Sequence, residues 1–460
     1  MPTVLERLAE VVSAVKPGDL PDEVVHEARR RLLDGLANML GGSGAPTVRS
    51  VYAAVGSSSG AATLAGDQRR ATAADAALAN CTALRYLDYM DGHPGPYPCH
   101  PSLVIPPALA VAEARHRSGA DLARAIVLGY EVDIRLQIAS GDPDITAHGW
   151  SGSSNLGMAV PAALSGLLDL DSEQLAHALA ISTVHSPTLD ASGRGQMAPS
   201  KSCVDGMVAQ SAVTATLLAE AGMRGKLSAY EGDDGFLAGV ARTYDEDVLL
   251  APVERFRVLD AYTKQYNAVK CAQSAAGSAL RLRPRIGGPE EIEAITLSLA
   301  ERDWRNQSGD VEARRRPGNR DTANHSVLYC LAAALVDGRL QADQFGPDRL
   351  ADPRILAVVD RTRIAPEPEL SAYWPGANPA RVHIRLRSGQ ELEDTTIYFP
   401  GHPRNPVSDA DLEDKFRSLA EPVLGASGAT AVVEAVRSLD RLPDVRGLVG
   451  LLTHTLEGRS

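Results

Sequence analysis

The hydrophobic pattern of this chain changes period once and then changes back. Up to about residue 255, apolar residues recur at helical spacing. Val25, Ala28, Leu32, Leu36 and Leu40 mark one such face, opened by Pro21-Asp22-Glu23 and predicted to stop at Gly41-Gly42. The stretches from Thr72 to Leu87, Ile105 to Ala114, Leu122 to Ala139, Ala159 to Leu167, Ser172 to Ser182 and Val204 to Ala221 read the same way. Thr72 is the expected N-cap of its segment. Many of these faces are alanine-rich, which suits closely packed helices. Farther on, Glu293 to Leu299 and Arg381 to Arg387 alternate with period two, as half-buried strands do. Arg361 to Ile364 is a further strand candidate. Ser388-Gly389 turns the second alternating run into Glu393 to Phe399, which predicts a hairpin. Helical spacing covers Ser326 to Val336 and Asp352 to Val359, and returns at Asp409 to Leu419 and Ala429 to Leu439. The fold class is therefore mainly α with an α+β insert. Residues 1–255 and 401–460 form a helical domain from both chain ends, and residues 256–400 form a smaller α+β lid.

A length of 460 residues exceeds one typical core and agrees with two domains. The net charge of −12 argues against sequence-independent nucleic-acid binding, and the 4% aromatic content against base-stacking platforms. A few cations in one cleft can still hold an anionic substrate. Five cysteines, Cys81, Cys99, Cys203, Cys271 and Cys330, include no C-x-x-C pair, so neither a zinc ribbon nor a disulfide framework is expected. The N-terminus shows no secretory pattern, and no run reaches the ~20 apolar residues of a membrane span. The expectation is a cytoplasmic protein that binds neither membrane nor nucleic acid. Gly222-Met223-Arg224-Gly225-Lys226 fails as a phosphate loop on spacing, and no G-x-G-x-x-G after a strand, H-E-x-x-H, EF-hand loop or nucleophile elbow is expected. Whatever chemistry occurs is expected to run on side chains.

Four segments carry groups suited to it. Asp88, Asp91, His93 and His100 crowd a Gly/Pro-rich loop ahead of a long apolar run. Carboxylates and imidazoles together suit acid–base work, because burial can split their pKa values around neutrality. His93 alone reads as a solvent-exposed loop residue. Lys201, with Arg194 nearby, stands just before an apolar helix, where the helix dipole disfavours a cation by roughly 0.3–1 kcal/mol. A carboxylate ligand sharing that helix start would account for it. Lys264 and Lys270 lie six residues apart near the expected domain boundary, and clefts between domains are preferred ligand sites. Arg320 to Ser326 precedes a helix that carries Tyr329, with Asn324 or Thr322 as its cap.

Taken in order, these segments resemble the MmgE/PrpD family. Asp88-Tyr89-Met90-Asp91 through His100-Pro101-Ser102 is similar to its D-x-x-D…HPS loop. Gly129-Tyr130-Glu131-Val132 with Arg135, Lys201 followed by Ala219-Glu220-Ala221-Gly222, Lys264 with Gln273-Ser274-Ala275, Ala323-Asn324-His325-Ser326 with Tyr329, and Gly401-His402-Pro403-Arg404 with Lys415-Phe416 continue the match over nearly the whole chain. The resemblance implies a helical domain from both termini, an α+β lid, a cleft between them, a homodimer, and no metal or organic cofactor. It places Asp88, His100, Lys201, Lys264 and Tyr329 at active-site positions, with Asp91, Ser151, Arg194, Lys270 and His325 as substrate-binding candidates. The chain departs from the family pattern in three places. Ser151 or Gly152 stands where relatives carry an active-site histidine, the loop before His100 is about two residues longer than in the decarboxylases, and Lys270 replaces a His or Glu.

The implied activity is a cofactor-independent lyase, a dehydratase of the 2-methylcitrate or citrate type acting on a small di- or tricarboxylate. Lys201 and Lys264 would bind carboxylates, with Arg194 or Lys270 as further partners, His100 oriented by Asp88 would move the proton, and Tyr329 would donate to the leaving hydroxyl or to a carboxylate. The alternatives are a cis-aconitate-type decarboxylase, an epimerase or isomerase of a related acid, and a non-catalytic relative that binds a carboxylate.

Overall fold

The structure is a computed structural model and describes residues 1–56, 59–141, 144–193 and 196–453. It divides into two compact units. The first comprises Met1–Ala191, Ser202–Ala261 and Ser408–Ser460; the second comprises Ser192–Lys201 and Tyr262–Val407. The second unit thus takes in Ser192–Lys201, which the sequence pattern gave to the helical part. Side chains hold it there: Asn319 donates to the Met197 carbonyl at 2.8 Å, and the Met197 amide donates to Thr322 Oγ1 at 3.1 Å.

The first unit is helical. Its elements include Val4–Ala14, Asp22–Ser43, Pro46–Val55, Ala73–Tyr86, Ile105–Ala114, Gly119–Ala139, Leu156–Leu164, Ser172–His185, Lys201–Glu220 and the span Asp409–Arg437, and Asp22–Ser43 crosses Ala73–Tyr86. Thr72 caps its helix by accepting from the Asp75 amide at 3.1 Å. Gly41-Gly42 does not end the Asp22–Ser43 helix. A Cβ at Gly42 would stand 2.1 Å from the Ala83 carbonyl oxygen, so glycine there permits close crossing of the Ala73–Tyr86 helix rather than termination. The span Asp409–Arg437 is broken at Gly425 (φ +72°, ψ 166°) into two helices, as the sequence suggested. Taken as a single span it is the one described helix whose length and composition would pass for a membrane crossing, but the Gly425 break lies inside every 18-residue window of it. Its Lys415 and Phe416 are buried inside the unit.

The second unit carries a four-stranded sheet in the order Thr362–Pro366, Ile292–Leu299, Ala380–Leu386, Glu391–Thr396. The first pair is parallel and the others antiparallel. A register shift between Ile292 and Ala294 changes which face the strand buries, and strict alternation then runs from Ile295 to Leu299. Helices Lys270–Leu282 and Val327–Asp337 supply the apolar partners of the buried face. Across the opposite face, Arg385 pairs with Glu293 at 3.0 Å. Ser326 caps the Val327–Asp337 helix by accepting from the Tyr329 amide at 3.1 Å; neither Asn324 nor Thr322 does so.

Candidate active site

In the first unit, the Ala73–Tyr86 helix delivers Arg85 to the start of the marked loop. Asp88 follows at φ +53°, a left-handed conformation that aspartate tolerates better than most residues. Arg85 Nη1 donates to Asp88 Oδ1, and its Nε donates to Asp205 Oδ2 at 3.1 Å. Asp205 also accepts from the Ser153 hydroxyl, which lies 3.0 Å from Ser151 Oγ. Asp88 and Ser151, both marked in the sequence, are thus joined through Arg85, Asp205 and Ser153, which were not. The i,i+3 spacing of Arg85 and Asp88 was a visible signal, whereas Asp205 lies far along the chain.

One face of the Gly119–Ala139 helix fixes the rest of the loop. Tyr130 Oη donates to Asp91 Oδ2 at 2.6 Å, the Cys99 thiol lies 3.3 Å from Asp133 Oδ2, and Gln137 holds both His93 Nδ1 and the Tyr97 carbonyl. Spacings of three and four residues bring these side chains to one side of a helix. On another side, Glu131 accepts from the Arg257 amide at 2.7 Å, and Arg135 donates to the Leu249 carbonyl at 3.0 Å. Burial pushes the Asp133 carboxyl up to about 7.

One expectation changes here. His93 is buried against Gln137, not solvent-exposed. Asp91 is 0% exposed, and its side chain supports the loop. Its carboxylate accepts from Tyr130 and, at 3.2 Å, from the Ser102 amide, while burial raises its pKa. Beneath the loop, Lys415 Nζ pairs with Asp34 at 2.7 Å and donates to the Tyr89 carbonyl at 2.8 Å. Burial lowers the pKa of Lys415, and Asp34 opposes that shift.

His100 Nδ1 lies 2.9 Å from the Asp91 carbonyl oxygen. A carbonyl only accepts, so Nδ1 carries the hydrogen and Nε2 is the basic nitrogen of the neutral ring. The backbone of Asp91 therefore orients this imidazole, a role the sequence gave to the Asp88 side chain.

The departures at Gly152 and in the loop before His100 are physically linked. A Cβ at Gly152 would stand 2.1 Å from the Pro98 carbonyl oxygen, so this loop occupies the space that a side chain at 152 would need. Asn155 adds a hydrogen bond to Tyr97 Oη at 2.9 Å. Ser151, anchored through its amide to the Thr188 carbonyl at 2.8 Å, is partly exposed at this turn, as is Ser153.

The second unit brings Lys201 and His325 together. His325 Nδ1 faces the Asp321 carbonyl at 2.9 Å and the Asn324 side-chain oxygen, so it carries the hydrogen. Its Nε2 then accepts from Lys201 Nζ at 3.0 Å. Lys264 is 1% exposed. The segment after it is clamped by Gln273, which accepts from the Gln265 and Tyr266 amides at 3.2 and 3.1 Å and donates to the Tyr266 and Ala268 carbonyls, both at 2.9 Å. Lys270 opens the Lys270–Leu282 helix with its ammonium 5.6 Å from the Trp374 ring centre. Tyr329 does not join these groups. It sits in the core of the unit beside Phe345 and donates its hydroxyl hydrogen to the Gln344 carbonyl at 2.9 Å, and burial raises its pKa. Arg194 lies outside the described residues. Among the described residues, no group of three or more His, Cys, Asp or Glu side chains is arranged to hold a metal ion.

Comparison with known proteins places the chain in a family. The MmgE/PrpD N-terminal domain model matches residues 6–248, and the MmgE/PrpD C-terminal domain model matches residues 266–441. The chain belongs to the MmgE/PrpD family. It is 28% identical to human cis-aconitate decarboxylase over 98% of this chain and 94% of that protein. It is 27% identical to a cis-aconitate decarboxylase-like protein of Aspergillus oryzae over 98% of each. The mitochondrial 2-methylcitrate dehydratase of Yarrowia lipolytica is 23% identical over 70% of this chain and 65% of that protein.

Proposed function

We propose that this chain is a lyase that takes a proton from a carbon beside a carboxylate of a small di- or tricarboxylic acid. Dehydration of a citrate- or 2-methylcitrate-type hydroxy acid is the main reading. The observation that carries it is the fixed tautomer of His100, whose Nε2 has a lone pair and whose Nδ1 cannot turn away from the Asp91 carbonyl without losing its bond. Nε2 takes the C–H proton, and the electron pair forms the double bond as the neighbouring C–O bond breaks. The imidazolium then holds the one proton needed to release the hydroxide as water. Lys201 and Lys264 balance the charge that develops on the carboxylates. Tyr329 is left out of this scheme because its hydroxyl hydrogen goes to Gln344.

Decarboxylation of a cis-aconitate-type acid is the second reading, favoured by the near-full-length match to relatives that carry that name. Both readings start from carbanion-like chemistry beside a carboxylate. Incubation with citrate, 2-methylcitrate, cis-aconitate and iminodisuccinate in D₂O, followed by proton NMR, tests them. Loss of the hydroxy acids with formation of an alkene supports dehydration, and release of carbon dioxide from cis-aconitate supports decarboxylation. Deuterium uptake without net conversion supports an epimerase. Binding of a tricarboxylate with no conversion and no deuterium uptake overturns the enzymatic reading in favour of a carboxylate-binding relative. We further propose a homodimer, supported by the exposed apolar side chains Val184, Leu189 and Met207. Light scattering at micromolar protein is the check.

A further inference from the structure

The hydroxyl of Ser151 ends a hydrogen-bond chain whose direction is set from its far end. An ionised carboxylate can only accept hydrogen bonds. Asp205 is 5% exposed and paired with Arg85 Nε at 3.1 Å, and its second oxygen faces the Ser153 hydroxyl. Ser153 must therefore donate to Asp205, which leaves its oxygen to accept. Ser151 Oγ, 3.0 Å away, is the donor to that oxygen. A hydroxyl has one hydrogen and two lone pairs. With its hydrogen directed at Ser153, and with the Ser153 amide 3.3 Å from one lone pair, Ser151 has a single capacity left, which is to accept.

We propose that Ser151 is a specificity-determining residue that accepts a hydrogen bond from the hydroxyl of a hydroxylated polycarboxylate. Ser153 and Asp205 are positioning residues that fix its polarity. The inference rests on the functional reading above and sharpens it. An alkene acid such as cis-aconitate offers no O–H to this acceptor, and its carboxylates would meet a lone pair. A hydroxy acid supplies the missing donor. The turn is held in place for this purpose by the Ser151 amide on the Thr188 carbonyl at 2.8 Å and by the tight fit of Gly152 on Pro98.

The test compares citrate with tricarballylate, the same carbon skeleton without the hydroxyl, by isothermal titration calorimetry at neutral pH. The wild-type protein is expected to bind citrate roughly tenfold more tightly, the size of one well-placed hydrogen bond. Ser151→Ala and Ser153→Ala are expected to bring the two affinities together, the first by removing the acceptor and the second by freeing the Ser151 hydrogen. Ser151→Thr is expected to keep the preference. Asp205→Asn, whose amide can donate to Ser153, is expected to abolish it if the variant folds; the Ser153→Ala result decides if it does not. A purely structural role for Ser153 or Asp205 would weaken both acids alike and leave their ratio unchanged, which overturns the proposal. Equal wild-type affinities for the two acids overturn it while leaving the functional reading intact. No binding of either acid overturns the functional reading and this inference with it.

Discussion

In the first unit, buried charges take part in holding the 88–102 loop: Arg85 pairs with Asp88, and Lys415, paired with Asp34, donates to the Tyr89 carbonyl. In the second unit, neutral side chains do much of the holding, with Arg314 also donating to the His325 carbonyl. Gln273 clamps the stretch after Lys264, Asn319 and Thr322 hold Met197, and Gln307 accepts from the Val327 amide at 3.1 Å. The difference has physical consequences. Buried ions lose little when both partners go together and much when one is left behind, and they make a region sensitive to pH. Buried amides donate and accept at once and do not titrate in the working range. A lysine that must meet an anion gains from clamps that do not titrate, whereas an acid–base loop gains from charges that fix its geometry.

The largest effects are expected on turnover. His100→Ala should lower kcat by about 10²–10⁴-fold, as removal of a general base does. Lys201→Ala should abolish measurable conversion, and both variants should melt near the wild-type temperature. Loss of folding in either would make these residues structural and dissolve the division between scaffold and chemistry.

Next in size is the charge scaffold. Lys415→Met leaves Asp34 buried without its ammonium partner and should cost about 3–5 kcal/mol in urea unfolding. Lys415→Met combined with Asp34→Leu should recover much of that loss. If the single and double variants are equally destabilised, charge is not what the pair contributes.

The neutral clamp should respond more weakly. Gln273→Ala strands backbone groups of residues 265–268 and should cost about 1–3 kcal/mol. That cost should be the same at pH 5 and pH 8, and a pH-dependent cost would erase the contrast between the units.

The smallest effect is a slope. The Asp133 carboxyl titrates near 3.8 when unfolded and at about 7 when folded, because of burial, with Asp91 and Asp205 adding negative charge nearby. Between those values the folded state holds the extra proton, so its contribution to stability falls as pH rises from about 4 to about 7. Asp133→Asn removes the titration. The stability of wild type minus that of the variant should therefore decline across this window and level off above it. A flat difference would show that the carboxyl is ionised throughout.

Much of the fold was legible because it depends on local periodicity. The change from helical spacing to alternation near residue 293 is a property of neighbouring residues, and the strand from Ile292 to Leu299 follows it closely. His100 and Lys201 were legible through their setting in Gly/Pro-rich segments beside apolar helices. The misreadings share a cause, since each depended on what approaches from a distant part of the chain. Gly42 was read as a stop because Ala83 is invisible from its neighbours. His93 was read as solvent-exposed because Gln137 lies 44 residues away. Tyr329 resembled an acid until Gln344 took its hydrogen.

The sequence by itself determined the identities and spacing of the ionisable groups, the periods of the helices and strands, and the family to which the chain belongs. Tertiary structure alone decided which of those groups point toward chemistry and which serve as supports. It decided this because a hydrogen bond has a direction and a buried group must find its partner wherever the fold places one. Asp205, 54 residues beyond Ser151, settles what that hydroxyl can accept.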